Sequence, residues 1–149
     1  RGLVWCRVTW GTATLGQSAG GSVENGAQLG TILVVEDDAL LRRMLRRTLT
    51  ARGWSVVEAA DGVEALGVLP TVDVHLVLSD VDMPRMGGRA LALALAERRP
   101  DLPVVLMSGN PLVDTSDLSP FFIPKPFAPR TLDRTLTEAM AARERSAVG

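Results

Sequence analysis

The sequence has little of what several classes of protein require. It contains a single cysteine, Cys6, so no disulfide can form within the chain, which suits a reducing compartment such as the cytoplasm. No apolar run approaches the roughly 18 residues of a membrane-spanning helix. The formal net charge of −1 gives no general attraction to nucleic acid or to anionic membranes. The single histidine, His75, has no second histidine with which to bind a metal, so we expect it to be structural.

What the chain does have is enough apolar material for one domain. Its 149 residues are 46% hydrophobic and 22% charged, a globular composition. Residues 1–29 differ, because six of the 14 glycines lie between Gly11 and Gly30. We expect residues 1–29 to be a linker or a fragment of an upstream domain, poorly ordered, with at most one short strand over 4–10. The first residue is not methionine, which suggests a fragment or a processed chain, and the folded domain is expected over 30–145.

From Gly30 onward, short apolar runs alternate with amphipathic stretches. The apolar runs predict strands at 31–35, 55–58, 74–79, 103–107 and 121–124. The amphipathic stretches predict helices at 39–52, 62–69, 88–99 and 129–144. Strands that alternate with helices form βαβ units, so the sequence predicts a doubly wound α/β fold with a five-stranded parallel sheet between two helical layers.

The first two predicted helices carry their own boundary signals. Asp38 is placed to cap the start of the first helix and Gly53 to end it. Asp61 followed by Glu64 predicts a capping box at the start of the second helix. The polar face of the first helix carries four arginines: Arg42, Arg43, Arg46 and Arg47. A solvated face is the simplest interpretation of these arginines. A docking surface for a kinase or phosphotransfer helix bundle is the alternative.

Acidic and polar residues come directly after the apolar runs where four of the predicted strands end. These residues are Glu36 and Asp37, then Asp80, Ser108 and Lys125. Ligands of open parallel α/β sheets bind at the carboxyl ends of the strands, so the five side chains are expected to converge on one edge. Such a set suits a divalent cation, a carboxylate that carries phosphate, a hydrogen-bond donor and a fixed positive charge.

Asp80 is the candidate nucleophile of this set. A carboxylate can attack phosphorus and carry an acyl phosphate, and an attack between anions needs charge neutralisation. Mg²⁺ suits this task because it prefers a few carboxylates plus phosphate oxygens. We expect Asp37 and Asp80 to be direct ligands, and Glu36 to bind directly or through water. The backbone carbonyl of Asp82 could add another oxygen.

The remaining two residues supply positive charge and a hydrogen bond. Lys125 would place its charge on the phosphate or on the Asp80 carboxylate, and Ser108 would donate its hydroxyl to a phosphoryl oxygen. Each residue also has a structural interpretation, since Glu36 and Asp37 could complement the dipole of the first helix and the others could belong to ordinary turns. Those interpretations explain the residues singly but not their order after successive strands.

Taken in order, these motifs resemble the receiver domain of two-component response regulators over about 30–142. The matching segments are ILVVEDD at 32–38, LVLSDVDMP at 76–84, MSG at 107–109 and KPF at 125–127. The resemblance implies a flavodoxin-like fold with strand order 2-1-3-4-5. It implies that Asp80 accepts a phosphoryl group from a phosphohistidine of a sensor histidine kinase or a histidine phosphotransfer protein, in the cytoplasm.

The resemblance also implies roles for the other site residues. Glu36 and Asp37 match the acidic metal-binding pair, Ser108 the switch hydroxyl and Lys125 the invariant lysine, whose bond to the following proline is often cis. Phe122 matches the switch aromatic, without the hydroxyl that a tyrosine would have, and a core phenylalanine is the alternative. A receiver catalyses only its own phosphorylation and dephosphorylation, so it is not expected to be an enzyme in the usual sense.

Two departures from the family pattern stand out. Lys125 comes 17 positions after Ser108, several fewer than is usual, and the missing length falls where the fourth helix should be. We therefore expect a shortened or missing fourth helix, which puts dimerisation through that face in doubt and leaves the oligomeric state open. Asp82 adds negative charge beside the phosphate site, and we expect it to alter the lifetime of the phosphorylated state.

Two rival functions remain open at this point. A receiver fold can act as an interaction module without phosphorylation. The intact Asp37, Asp80, Ser108 and Lys125 argue against that alternative, and the shortened fourth-helix region keeps it open. The Asp80-Val81-Asp82 motif also resembles the Asp-x-Asp of haloacid-dehalogenase-like phosphatases, but that family gives no role to Glu36. No helix-turn-helix, zinc site or basic stripe is visible, so direct DNA binding is not expected. The chain could be a stand-alone regulator or the receiver end of a hybrid histidine kinase.

Overall fold

The computed structural model of the protein describes residues 28–149. The expectations for the start of the chain, including the short strand over 4–10 and the environment of Cys6, lie outside the described residues. The elements in chain order are β1 (Gly30–Val35), α1 (Ala39–Ala51), β2 (Trp54–Ala59), α2 (Gly62–Val68), β3 (Leu76–Asp80), α3 (Gly88–Arg98), β4 (Val104–Ser108), β5 (Phe122–Pro124) and α4 (Pro129–Val148). Each predicted strand and helix is present in this order.

The five strands form one parallel sheet with the order β2-β1-β3-β4-β5. This order confirms the prediction. Alternate residues of a strand point to opposite faces. Accordingly, Leu33 packs with the buried side chains of α2 and α3, whereas Ile32 packs with those of α1 and α4. The sheet is therefore the middle layer of three, and all of its central strands are buried on both faces.

The predicted caps fix how the chain enters the first two helices. The Asp38 carboxylate accepts hydrogen bonds from the backbone N–H groups of Leu40 and Leu41, at 2.9 and 3.2 Å. Asp61 accepts one from the Glu64 N–H at 2.9 Å. The Glu64 carboxylate reaches one residue further back than the usual capping box, to the N–H of residue 60. These caps hold the two turns that border the carboxyl edge of the sheet.

The ends of two helices can be compared with prediction. α1 ends as expected, since Gly53 adopts a φ of 97° one residue after the C-cap. The last helix runs on to Val148 rather than to 144, because residues 141–147 are mostly alanine, arginine and glutamate, which favour helix.

The segment between β4 and β5 (residues 109–121) contains no regular helix. It forms two turns, one in which the Val113 N–H donates to the Asn110 carbonyl at 3.3 Å and one in which the N–H groups of Leu118 and Ser119 both donate to the Thr115 carbonyl at 2.9 Å. The predicted shortening of the fourth helix is therefore confirmed as its absence. The Ser119 hydroxyl anchors the segment by donating to the Val104 carbonyl at the start of β4.

Within residues 28–149, no helix combines the length and apolar character needed to cross a bilayer.

Candidate functional site

Four parallel strands deliver the five predicted side chains to one edge of the sheet. Glu36 and Asp37 come directly after β1, Asp80 is the last residue of β3, Ser108 is the last residue of β4, and Lys125 comes directly after β5. The register pairs Asp80 with Met107, one residue before Ser108. Because β1, β3, β4 and β5 are consecutive neighbours in the sheet, these strand ends lie side by side.

Three carboxylates form the centre of this edge. One oxygen from each of Glu36, Asp37 and Asp80 lies within 4.8 Å of the other two. Glu36 and Asp80 are buried, with 1% and 7% of their surface exposed, whereas Asp37 is open to solvent. Mg²⁺ binds through a few carboxylates and keeps several waters, so this partly open set of oxygen donors fits it.

Lys125 is the cation of the cluster. Its Nζ lies 2.9 Å from Glu36 Oε2 and 3.3 Å from Asp80 Oδ2. One ammonium therefore faces two buried carboxylates, with the third acid, Asp37, close by. This imbalance leaves the site with excess negative charge, which a divalent cation would neutralise.

Burial and charge shift the pKa values in this cluster in opposite directions. Burial raises the pKa of Asp80, although Lys125 and the backbone N–H of Asp82 lower it in part. Burial likewise raises the pKa of Glu36 against the hydrogen bond from Lys125. Burial alone would lower the pKa of Lys125, but its contacts with Glu36 and Asp80 leave that pKa raised. The lysine is therefore held in its charged form, and both buried carboxylates are costly to ionise.

Ser108 is almost fully buried, at 1% exposure. Its hydroxyl oxygen accepts a hydrogen bond from the N–H of Asn110 at 3.0 Å, and its backbone carbonyl accepts one from the N–H of Lys125 at 2.8 Å. The residue thus links the start of the 109–121 segment to the lysine that contacts Asp80. Toward residues 28–149 the hydroxyl donates no hydrogen bond, so it can serve as a donor to a ligand.

The positions of the last two predicted residues, Phe122 and Asp82, do not by themselves identify a role in the site. Phe122 begins β5 and packs, partly buried, against the core beneath α2 and α3. This position suits both a switch aromatic and a core side chain, so the switch role stays a prediction. Asp82 is exposed, and its backbone N–H lies close enough to Asp80 to lower the pKa of that carboxyl in part. The peptide bond between Lys125 and Pro126 is cis.

Sequence reasoning missed the constraints on the loop between β3 and α3 (residues 81–87, the β3–α3 loop). A Cβ on Gly87 would lie 2.6 Å from the Val81 carbonyl oxygen, and one on Gly88 would overlap the carbonyl oxygen of Asp80. The two glycines therefore let the start of α3 approach the backbone of the candidate nucleophile. The adjacent pair of glycines shortly after Asp80 was the available signal.

Comparisons of the sequence with protein families and with curated proteins point to one family. The sequence model of a family described as "Response regulator receiver domain" matches residues 32–137. Sensor kinase CckA of Brucella abortus (strain 2308) is 36% identical over 122 residues, which cover 76% of this chain and 13% of that protein. The DNA-binding transcriptional regulator NtrC of Klebsiella pneumoniae is 36% identical over 106 residues, covering 67% of this chain and 22% of that protein. The chain thus spans less than a quarter of the length of these two relatives.

The solved structures show the same architecture. A CheY-like response regulator receiver domain protein from Methanospirillum hungatei JF-1 superposes with a TM-score of 0.73 at 26% identity. The match covers 80% of this chain and 99% of that structure. The match thus extends over almost the whole of that receiver domain.

Proposed function

Because the chain belongs to the response regulator receiver family, we propose that Asp80 is the residue that accepts the phosphoryl group in its two-component phosphorelay. The donor would be the phosphohistidine of a sensor histidine kinase or of a histidine phosphotransfer protein. One observation carries the proposal: a buried carboxylate, Asp80, lies within 4.8 Å of two further carboxylates and 3.3 Å from the Lys125 ammonium. That arrangement combines a nucleophile, a cation site and a fixed positive charge.

The transfer can be derived from the positions of these groups. An Asp80 oxygen attacks phosphorus while the bond from phosphorus to the histidine nitrogen breaks, and the imidazole leaves with the electron pair of that bond. Glu36, Asp37 and Asp80, with the Asp82 carbonyl, would hold Mg²⁺. When bound, Mg²⁺ supplies positive charge against the phosphoryl oxygens. Lys125 exchanges part of its contact with Asp80 for a phosphoryl oxygen.

The response to phosphorylation would begin at Ser108. To donate its hydroxyl to a phosphoryl oxygen, the side chain must turn toward Asp80, which breaks the hydrogen bond that it accepts from Asn110. The 109–121 segment then loses an anchor at its start, and Phe122 at its end is free to move with it. One local change of charge would thus bias a two-state element. Asp82 would alter the lifetime of this state through its added negative charge.

The partner surface that we propose is the exposed face of α1. Arg46 forms an ion pair with Glu58 at 3.0 Å, which links α1 to β2. Arg43 and Arg47 are exposed, beside the exposed apolar side chains of Leu40 and Met44. A mixed basic and apolar face next to Asp37 suits a polar helix bundle that carries the phosphohistidine. Docking there, in the cytoplasm, would bring the donor to the site.

The domain that carries this function would be residues 30–145, which agrees with the family match over 32–137. We propose that residues 1–29 are a linker or part of an upstream domain, as in a hybrid histidine kinase.

A second candidate function is phosphorylation-independent protein binding. The absence of a regular helix between β4 and β5 favours it, since that absence changes the surface around β5.

The test is phosphorylation by a small donor. The chain is incubated with acetyl phosphate and Mg²⁺, and intact mass is measured for the parent, for Asp80→Asn and for Glu97→Gln, an exposed acid of α3, as the control. We expect one added phosphoryl group in the parent and in Glu97→Gln, and none in Asp80→Asn or in excess EDTA. An unmodified parent, beside a control receiver that is modified, would overturn the proposal in favour of the binding module. Sustained turnover of a phosphate ester would instead indicate a phosphatase.

A further inference from the structure

The β3–α3 loop (residues 81–87) is tied to the start of α2 at two points. Arg85 Nε donates to Asp61 Oδ2 at 2.7 Å, and Arg85 Nη2 contacts the same oxygen. The Gly62 N–H donates to the Met86 carbonyl at 2.9 Å. Both ties join residues that lie 24 positions apart in sequence. This loop also carries Asp82, two residues after the candidate nucleophile, and the loop closes on itself where the Gly88 N–H donates to the Val81 carbonyl at 2.9 Å.

Asp61 is a firm anchor for this loop. The residue is only 3% exposed, and both of its carboxylate oxygens are occupied. Oδ1 caps α2 through the Glu64 N–H, while Oδ2 pairs with Arg85. A carboxylate that is buried with each oxygen bonded has little freedom to move. The anchor is therefore fixed by the helix that it caps.

Arg85 adopts an unusual backbone conformation. Its φ is 62°, and among residues 28–149 it is the one non-glycine residue with positive φ. A residue with a Cβ adopts this region at a cost and persists there when the surroundings compensate. The Arg85 side chain is 62% exposed, and its contact with the buried Asp61 acts together with the Gly62–Met86 backbone hydrogen bond to hold this turn. Strain held by a specific contact next to a reactive carboxylate points to a role in the site.

The contact between Gly62 and Met86 leaves little space for a side chain at position 62. A Cβ on Gly62 would lie 2.5 Å from Met86 Cγ and 2.9 Å from the Met86 carbonyl oxygen. The loop and the start of α2 therefore approach each other closely enough that glycine at position 62 is required unless Met86 shifts. Asp82 lies in sequence between Asp80 and the two residues, Arg85 and Met86, that contact the start of α2. These contacts therefore restrict the position of the Asp82 backbone.

From this geometry we propose that Arg85 and Asp61 are positioning residues for the phosphate site. Their ion pair holds the β3–α3 loop so that the backbone of Asp82 stays beside the Asp80 carboxylate, ready to complete the cation site. This inference rests on the proposed function, because it assigns the two residues to the same site. Neither residue touches the reacting atoms, and both act through the position of Asp82.

The test uses two variants that affect the ion pair differently. Asp61→Asn keeps an N-capping oxygen for α2 but removes the charge. Arg85→Gly removes the guanidinium while relieving the positive φ, so it cannot weaken binding through backbone strain. Arg85→Lys retains a charge without the planar fork and should restore part of the effect. Arg98→Ala, an exposed arginine at the end of α3, is the matched control.

The primary readout is Mg²⁺ affinity, measured by isothermal titration calorimetry without any phosphodonor. We expect Kd to rise about tenfold in Asp61→Asn and in Arg85→Gly, since residues that orient metal ligands typically contribute this much. Arg85→Lys should fall between these variants and the parent, and Arg98→Ala should match the parent. Thermal unfolding is measured in parallel, and Arg85→Gly should melt close to the parent.

Two failures can be told apart. If the parent binds Mg²⁺ and both ion-pair variants bind it equally well, whatever their melting temperatures, the positioning role is overturned while the proposed function stands. If the parent itself binds no Mg²⁺ and is not phosphorylated, the proposed site is wrong and the inference falls with it.

Discussion

Replacement of Asp80 by asparagine is expected to stabilise the fold when no divalent cation is present. The site groups three carboxylates, and the two buried ones, Glu36 and Asp80, contact one ammonium group. Asparagine keeps the shape of the side chain and retains an oxygen that can accept hydrogen bonds. The substitution therefore removes one charge and changes little else.

The distances set the size of the effect. At an effective dielectric constant of about 20, two like charges at most 4.8 Å apart repel by about 3.5 kcal/mol, and Asp80 has two such neighbours, Glu36 and Asp37. At 3.3 Å, the Lys125 ammonium attracts Asp80 by about 5 kcal/mol. Solvent screens the exposed Asp37, whereas the desolvation of Asp80 adds to the cost of its charge. We therefore expect a gain of about 2 kcal/mol, or a rise in Tm of roughly 6–10 °C.

Thermal unfolding in EDTA at neutral pH measures this gain. Glu97→Gln is the control, because it removes an exposed charge from α3, away from the cluster, and should change stability by no more than about 0.5 kcal/mol. Burial raises the pKa values of Asp80 and Glu36, so the folded state binds their protons more tightly than the unfolded state does. The parent consequently loses stability as pH rises from the ordinary pKa values through the raised ones. The difference between variant and parent should therefore be small below about pH 4 and full at neutral pH.

Two results would refute this reasoning. An Asp80→Asn variant that melts at or below the parent in EDTA would show that the attraction of Lys125 outweighs repulsion and burial. Saturating Mg²⁺ should stabilise the parent more than the variant and so narrow the difference between them. A difference that Mg²⁺ leaves unchanged would contradict the assignment of Asp80 to the cation site.

The same geometry leads to three further predictions. Lys125→Ala leaves two buried carboxylates without their ammonium and should destabilise the fold by about 3 kcal/mol at neutral pH, measured by urea unfolding; a loss below about 1 kcal/mol would contradict the central role of this ion pair. Ser108→Ala should still accept phosphate on Asp80, but phosphorylation should no longer change hydrogen exchange in residues 109–121; an unchanged exchange response would remove Ser108 from the switch. Asp82→Asn should lose its phosphoryl group at a rate different from that of the parent, measured by intact mass over time, and equal rates would refute the effect of Asp82.

The sequence was sufficient to predict the sheet and the edge where the site lies. Each strand is a short apolar run, and parallel strands place the residues at their carboxyl ends on one edge of the sheet. The convergence of Glu36, Asp80 and Lys125 could therefore be predicted from the sequence. The number of residues between Ser108 and Lys125 was likewise enough to predict that the fourth helix is shortened or missing. These features depend on order and length along the chain, which a sequence displays directly.

Other features depend on contacts that a sequence does not display. The ion pair of Arg85 with Asp61 joins two loops, and a positive φ at an arginine has no signal of its own, since glycine or asparagine is the usual occupant. The anchoring of the 109–121 segment by Ser119 on Val104 was missed because of the same limitation. Such contacts arise from how the layers pack, after the order of elements is already set.

The most direct test of the central claim is to locate the phosphoryl group on the chain. After brief exposure to acetyl phosphate and Mg²⁺, fragmentation of the intact phosphorylated protein in the mass spectrometer identifies the modified residue, with treatment by hydroxylamine to distinguish an acyl phosphate from a serine ester. We expect a single hydroxylamine-sensitive phosphoryl group on Asp80. A stable phosphoryl group, or one that persists at another residue in Asp80→Asn, would contradict the account.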